Sequence, residues 1–163
     1  MKRVSYMGVF FDEETKTRLI EKQKNKLPII ASDMHCTFKY APTKSETREF
    51  FKLLGGRNID LKITGYASDG MNSGFSIELT PEQRLVYTND IMVDGMREIR
   101  PAHITVSMEE GAYAVNTGYL NFQKLEETFS ISGRAGVLMK DRDRNKEWVE
   151  FEDPYKQLDF DER

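Results

Sequence analysis

The sequence predicts an α+β protein with largely antiparallel sheets, on three observations. Strand-like and helix-like stretches are interspersed along all 163 residues. Several of the strand-like runs are joined by short turns, as hairpins require, which favours antiparallel sheets over a doubly wound parallel one. At 163 residues and 39% apolar content the chain suits one compact domain, residues 1–163, with a real core.

Residues 4–11, Val4-Ser5-Tyr6-Met7-Gly8-Val9-Phe10-Phe11, are aromatic and branched and read as a first strand. Asp12 then has the chemistry of a helix N-cap. Glu13 and Glu14 follow in the first turn, where the helix dipole favours acids, and a lysine-rich face runs to about Lys26. Leu27-Pro28-Ile29-Ile30 ends that helix, and a polar turn at Ser32-Asp33 leads into a strand from His35 to Tyr40. Thr43 and Glu46 have the spacing of a capping box for a helix that carries Phe50, Phe51, Leu53 and Leu54 and stops at Gly55-Gly56. Ile59 to Tyr66 and Phe75 to Leu79 read as a hairpin about the turn at residues 69–74.

Residues 80–100 follow neither period; Pro81 starts a turn or short helix. A strand follows Pro101, and Glu109 to Asn121 form a looping segment. Two closing strands, near Glu127–Lys140 and Glu147–Glu152, flank a turn of mixed charge that suits a solvated hairpin tip. From Asp153 on, the chain reads as a loosely ordered acidic tail.

Net charge is -3 but uneven: residues 1–57 hold 12 basic and 7 acidic side chains, net +5, and the remainder 12 and 20, net -8. Long duplex nucleic acid is a poor fit, since its affinity rests on many phosphate contacts from a broad basic surface. A small anionic ligand fits better. One cysteine allows no internal disulfide and suits a reducing compartment. The apolar stretch after Met1-Lys2-Arg3 ends at Asp12, too soon for a secretory signal or a membrane span, so the expected location is cytoplasmic, with no membrane partner.

The two histidines carry the functional signal. Each is followed two residues later by threonine in a strand-like run: His35-Cys36-Thr37-Phe38-Lys39-Tyr40 and His103-Ile104-Thr105-Val106-Ser107-Met108. With 6–7 threonines per hundred residues, chance would give both histidines that neighbour about once in two hundred sequences. Strict alternation along a strand groups His35, Thr37 and Lys39 on one face, and His103, Thr105 and Ser107 on one face of the other. Two such strands side by side would build a polar cleft. Cys36 points the other way and reads as a small core residue. Met71, Met92, Met96 and Met108 form no regular stripe and read as core filling. With no acidic or thiol partner at ligand spacing, a zinc site is not expected. No glycine-rich phosphate loop, GxSxG elbow or CxxC pair is present.

On His35-Cys36-Thr37 and His103-Ile104-Thr105, with apolar positions around each and the histidines 68 positions apart, the chain resembles the two-histidine (2H) phosphoesterase superfamily. The resemblance implies a bilobal, pseudo-symmetric fold with helices outside a central cleft. It also implies metal-independent phosphodiesterase activity, without cofactor, on cyclic phosphates, 2′-5′ linkages or small cyclic nucleotides. Members include RNA-ligase-like and cyclic-phosphodiesterase proteins, nucleotide-binding domains of kinase-anchoring proteins, anti-CBASS phosphodiesterases of phages and viral 2′-5′ oligoadenylate hydrolases. The compactness of the chain points to the small microbial or viral branch, acting on antiviral nucleotide signals in a host cytoplasm. No arginine stands beside either motif to contact phosphate, and Lys39 is the candidate for that role; its counterpart in the second motif is Ser107.

Two imidazoles with ordinary pKa near 6.5 can supply base and acid at neutral pH, provided one starts neutral and the other protonated. His35 and His103 are therefore the expected acid–base pair, and the Thr37 and Thr105 hydroxyls the expected donors to non-bridging phosphate oxygens. Which histidine is the acid stays open at this point. Base recognition is expected from aromatic stacking by Tyr6, Tyr113 or Trp148. The competing readings are a nucleotide-binding module without turnover and an RNA repair or processing phosphoesterase.

Overall fold

The computed structural model describes residues 2–88, 91–93, 95–98 and 100–156; of 91–93 and 96–98 it describes the backbone. The fold is α+β, and among the described residues every strand pairing is antiparallel. In chain order the elements begin with β1 (Lys2–Phe10), α1 (Glu13–Lys22), β2 (Ile29–Ile30), β3 (His35–Tyr40) and α2 (Lys44–Leu54). They continue with β4 (Asn58–Ser68), β5 (Asn72–Glu78), α3 (Pro81–Arg84), β6 (Ile91–Val93), β7 (Met96–Glu98) and β8 (Ala102–Met108). A 3₁₀ helix (Ala114–Tyr119), β9 (Gln123–Asp141) and β10 (Lys146–Glu150) complete the order.

The helix ends follow from local chemistry. Asp12 caps α1, its carboxylate accepting from the Thr15 backbone N–H at 2.8 Å. The capping box of α2 is complete: Thr43 accepts from Glu46 N–H, and the Glu46 carboxylate from Thr43 N–H. Gly55 ends α2 in the left-handed region at φ 54°. The α1 helix ends at Lys22, short of the Lys26 that its lysine pattern suggests, because Gln23 turns inward as an extended, buried residue. Its side-chain oxygen accepts from the Ser107 and Ser73 hydroxyls. Within the segment 80–100, Thr80 caps α3 and a small β6–β7 hairpin follows. The side chains of Met92 and Met96, expected as core filling, and residues 157–163 of the expected acidic tail lie outside the described residues. Met71 is exposed rather than buried.

The main sheet runs β2-β8-β5-β4-β9-β1-β3, with β10 also on β9. The 19-residue β9 is the joint. Residues 123–134 pair with β4, whereas residues 134–141 pair with β1 and residues 137–141 also with β10. The two stretches of β9 thus serve two sub-sheets, β9-β4-β5-β8 with β2 outside, and β10-β9-β1-β3. The sheet also curls. β3 at one end and β8 near the other line one cavity.

One apolar core fills the curl. Phe38 packs edge-on against Phe50 of α2 and against Tyr87. Phe38, Phe50, Phe75, Leu19, Ile104 and Val106 are fully enclosed, each contributing about 1.5–3 kcal/mol of burial.

Candidate active site

Both motif strands carry the same irregularity. In the β1–β3 ladder Gly8 pairs with Thr37 and Met7 with Lys39, so Phe38 is an extra residue. In the β5–β8 ladder Gly74 pairs with Thr105 and Ser73 with Ser107, so Val106 is extra. An inserted residue reverses the alternation beyond it. Each strand keeps its histidine and threonine on the cleft face and turns the expected next member away.

This overturns two expected contacts. Lys39 shares its pair position with the core residue Met7, on the face opposite His35 and Thr37, and Tyr40 takes the place on the cleft face instead. Ser107 is 0% exposed, its hydroxyl donating to the Gln23 side chain at 2.7 Å and accepting from the Leu27 N–H at 3.1 Å. It anchors the exit of α1 and cannot touch a ligand in the cleft.

The cleft itself is a cavity of about 70 Å³ lined by Asp33, His35, Thr37, Tyr40, His103, Thr105 and Ala114, with Ala31. Since a water takes about 30 Å³ of liquid, this is room for one phosphoryl-sized group, the rest of a ligand lying outside. A depression of about 970 Å³ between α2 and residues 151–156 is far larger, but its lining of Lys44, Arg48, Lys52, Glu49, Glu152 and Asp153 holds no histidine.

The same device orients both histidines. Nδ1 of His35 meets the carbonyl of Asp33 at 2.5 Å, and Nδ1 of His103 meets that of Pro101 at 3.4 Å, each two residues earlier. A carbonyl only accepts, so Nδ1 carries the proton and Nε2 is the free nitrogen on the far side of each ring. Burial lowers the proton affinity of both imidazoles below the ordinary 6.5. The Asp33 carbonyl and charge pull His35 back up; the Pro101 carbonyl does the same for His103, which the charge of His35 pushes further down.

Aromatic rings brace the His35 side. Tyr6 stacks on the imidazole at 4.5 Å and 23°, its hydroxyl 3.4 Å from Nδ1, with Phe10 at 6.0 Å. At 7% exposure Tyr6 positions the ring and offers no open face to a base; burial first, then the Asp33 charge, pushes its phenol well above the ordinary range. Tyr40, 47% exposed, stands open at the cavity. Trp148 is not part of the site. The cross-strand row Tyr6–Leu138–Val149 puts Val149 on the cleft face; Trp148 packs on the core and donates its indole N–H to Glu150. Tyr113 is 72% exposed beside the cavity-lining Ala114, at the rim.

The two threonines differ. Among the described residues the Thr37 hydroxyl has no protein partner. Thr105 lies 2.8 Å from the Thr117 hydroxyl and 3.2 Å from the Ala114 carbonyl. Thr117, fully buried, accepts in turn from the Asn72 amide at 3.1 Å, and that amide also donates to the Tyr113 carbonyl at 2.8 Å. Thr105 is the donor to the Thr117 hydroxyl, so Thr117 accepts from both Asn72 and Thr105 and fixes where the Thr105 hydroxyl sits at the cavity.

Cys36 is buried, and its thiol is pushed up to about 12 by that burial, which makes it inert. Among the described residues no group of three or more His, Cys, Asp or Glu could hold a metal ion, and no helix is long and apolar enough to cross a membrane. Asp33, Tyr40, Phe10, Asn72 and Thr117 carry no motif that the sequence alone singles out. Neither family models nor curated proteins match this chain.

Proposed function

We propose that this chain is a metal-independent phosphodiesterase of the two-histidine phosphoesterase type, acting on a small nucleotide: a cyclic nucleotide or oligonucleotide, a 2′,3′-cyclic phosphate or a 2′-5′ linkage. One observation carries the reading: two His-x-Thr segments from opposite ends of the sheet converge on one cavity of phosphoryl size. A bilobal, duplicated architecture is supported by the repeat of parts. Strand, helix and antiparallel neighbour recur as β1-α1-β3 and β5-α3-β8, each with a glycine opposite the motif threonine, a bulge just beyond it and a histidine held by the carbonyl two residues before. The inert Cys36 suits a cytosolic home.

The charge of Asp33 favours the first proton on His35, and a protonated His35 disfavours a second on His103. His35 is therefore the acid and His103 the base. Nε2 of His103 takes the proton from the attacking oxygen, a water or the ligand's own 2′-hydroxyl, as the new P–O bond forms. Nε2 of His35 gives its proton to the leaving oxygen as the old P–O bond breaks. Thr37 and Thr105 donate to the non-bridging oxygens, whose charge grows in the transition state.

The test is to treat the purified protein with EDTA, offer it cyclic mono-, di- and trinucleotides, 2′,3′-cyclic phosphates and 2′-5′ oligomers, and resolve the products by chromatography. Turnover of at least one is expected, with His35→Ala and His103→Ala each lowering kcat by about 10²–10⁴-fold in a folded protein. Wild-type rates in either variant, or no turnover of any compound, would overturn the reading. Because burial favours neutral imidazoles on both sides, the second reading is a module that holds a nucleotide unchanged. Tight calorimetric binding with an intact ligand selects it.

A further inference from the structure

Past His103 the cleft face of the sheet continues into a groove of about 520 Å³, within the usual range for small-ligand sites, roughly 300–1,000 Å³. Three contacts join it to the candidate active site. Ser76, in its wall, is the cross-strand partner of His103. Pro101, also in its wall, supplies the carbonyl that holds His103 Nδ1. Phe122 lines the groove, and its ring lies over the His103 imidazole at 6.4 Å and 27°.

The groove has a flat floor and a cation. A Cβ at Gly65 would fall 2.3 Å from the Ser76 hydroxyl, so that stretch of floor stays bare backbone. Glu78 is paired with Lys62 at 3.7 Å, which neutralises both. Lys124 is exposed and, among the described residues, faces no carboxylate within pairing distance.

We infer that this groove is a second subsite, which takes the nucleotide unit next to the scissile phosphate: its base stacks on Phe122 and its phosphate meets Lys124. The inference rests on the phosphodiesterase reading, since it places the scissile phosphate between His35 and His103, and it narrows the substrate to oligonucleotides, linear or cyclic, with a further phosphate. A cavity of about 70 Å³ holds the reacting group alone; a ligand with affinity must find its contacts outside, and an aromatic ring beside a free ammonium is what a neighbouring nucleotide recognises.

The experiment compares the dinucleoside monophosphate ApA with the trinucleotide ApApA, in 3′-5′ and 2′-5′ linkage, and with cyclic di-adenylate. kcat/KM for the longer or cyclic compound is expected to exceed that for ApA by about tenfold, the size of one hydrogen bond to a charged group, since ApA already carries the neighbouring base but lacks its further phosphate. Lys124→Ala should cut that ratio to about twofold and flatten the salt dependence by about one phosphate contact, whereas Phe122→Ala should lower kcat/KM for ApA and the longer compounds alike by about tenfold. Both side chains are at the surface or half-buried, so the variants keep the fold. A wild-type ratio near one, a ratio unmoved in Lys124→Ala, or kcat/KM for ApA undiminished in Phe122→Ala overturns the subsite. If none of the compounds is cleaved, the phosphodiesterase reading falls instead, and the calorimetric affinity ratio of ApApA to ApA in the three proteins decides the groove by the same criterion.

Discussion

Gly8→Ala tests whether the placement of β3 sets the rate. Gly8 opposes Thr37, and a Cβ there would stand 2.2 Å from the Cys36 carbonyl oxygen and 3.1 Å from the Thr37 Cα. The closest comfortable carbon–oxygen contact is about 3.3 Å, so β3 must retreat from β1 by about 1 Å. Its side chains Cys36 and Phe38 are fully enclosed, so the shift is resisted by packing and costs about 1–3 kcal/mol, the usual size of an overpacking strain. A misplacement of about 1 Å lowers a rate by about 10²-fold, or about 2.7 kcal/mol of barrier. Gly74→Ala repeats the experiment on β8, where a Cβ would stand 2.4 Å from the Ile104 carbonyl and 2.6 Å from the Thr117 methyl. Steady-state kinetics on the best nucleotide substrate, beside circular dichroism and a thermal melt, separates displacement from unfolding. A folded Gly8→Ala protein with kcat/KM within about twofold of wild type would refute the reasoning.

The hydrogen bond by which Thr117 holds the Thr105 hydroxyl predicts that Thr117→Val lowers kcat about tenfold with little change in KM, and that Thr117→Ser restores it; equal rates in all three would dismiss that positioning role. Both histidines sit below the ordinary 6.5, so kcat/KM should peak on the acid side of pH 6.5, and Asp33→Asn should move the alkaline limb, where His35 loses its proton, to lower pH; a limb that stays put removes Asp33 from the account. The same shifts bear on folding. The unfolded chain binds more protons just below pH 6.5, so denaturant stability should be intact above that pH and fall as pH drops through the folded values; urea melts from pH 7.5 to 5 check the sign. Tyr40→Ala should raise KM about fivefold by removing an open ring at the cavity, whereas Lys39→Ala should alter kcat/KM by less than about twofold, and the reverse order would contradict the bulge.

Much of this was legible in the residues because local chemistry and tertiary packing agree. Asp12, Thr43 with Glu46, and Gly55 mark helix ends through hydrogen bonds made within a few residues, which sequence spacing reports directly. The His-x-Thr faces were readable as far as threonine, since period two holds over three residues. Beyond that, alternation fails at Phe38 and Val106. A bulge is set by the partner strand's register, here by a glycine on β1 or β5, and a single strand's pattern does not reveal it. Strict alternation puts Lys39 and Ser107 on the cleft face, whereas the observed register turns both away and brings Tyr40 there instead. Trp148 suggested a stacking platform by composition, yet its position is fixed by which residue of β9 it faces. Asn72 and Thr117 lie 45 residues apart and meet only in the folded chain.

The repeated parts do not make the halves equivalent, and their differences run in one direction. On the first side His35 stands beside an acidic residue and under a tyrosine ring, while Thr37 is unencumbered. On the second side no acid raises His103, while Thr105 is wired through Thr117 to Asn72. A proton donor must hold its proton before the substrate arrives, which Asp33 assists; a base must remain neutral, which burial and the charge on its partner assist. On the proposed mechanism, two similar strand–helix–strand units would serve opposite proton transfers through differences outside the His-x-Thr motif, and the division of labour is to be sought in residues such as Asp33 and Thr117 rather than in the motif itself.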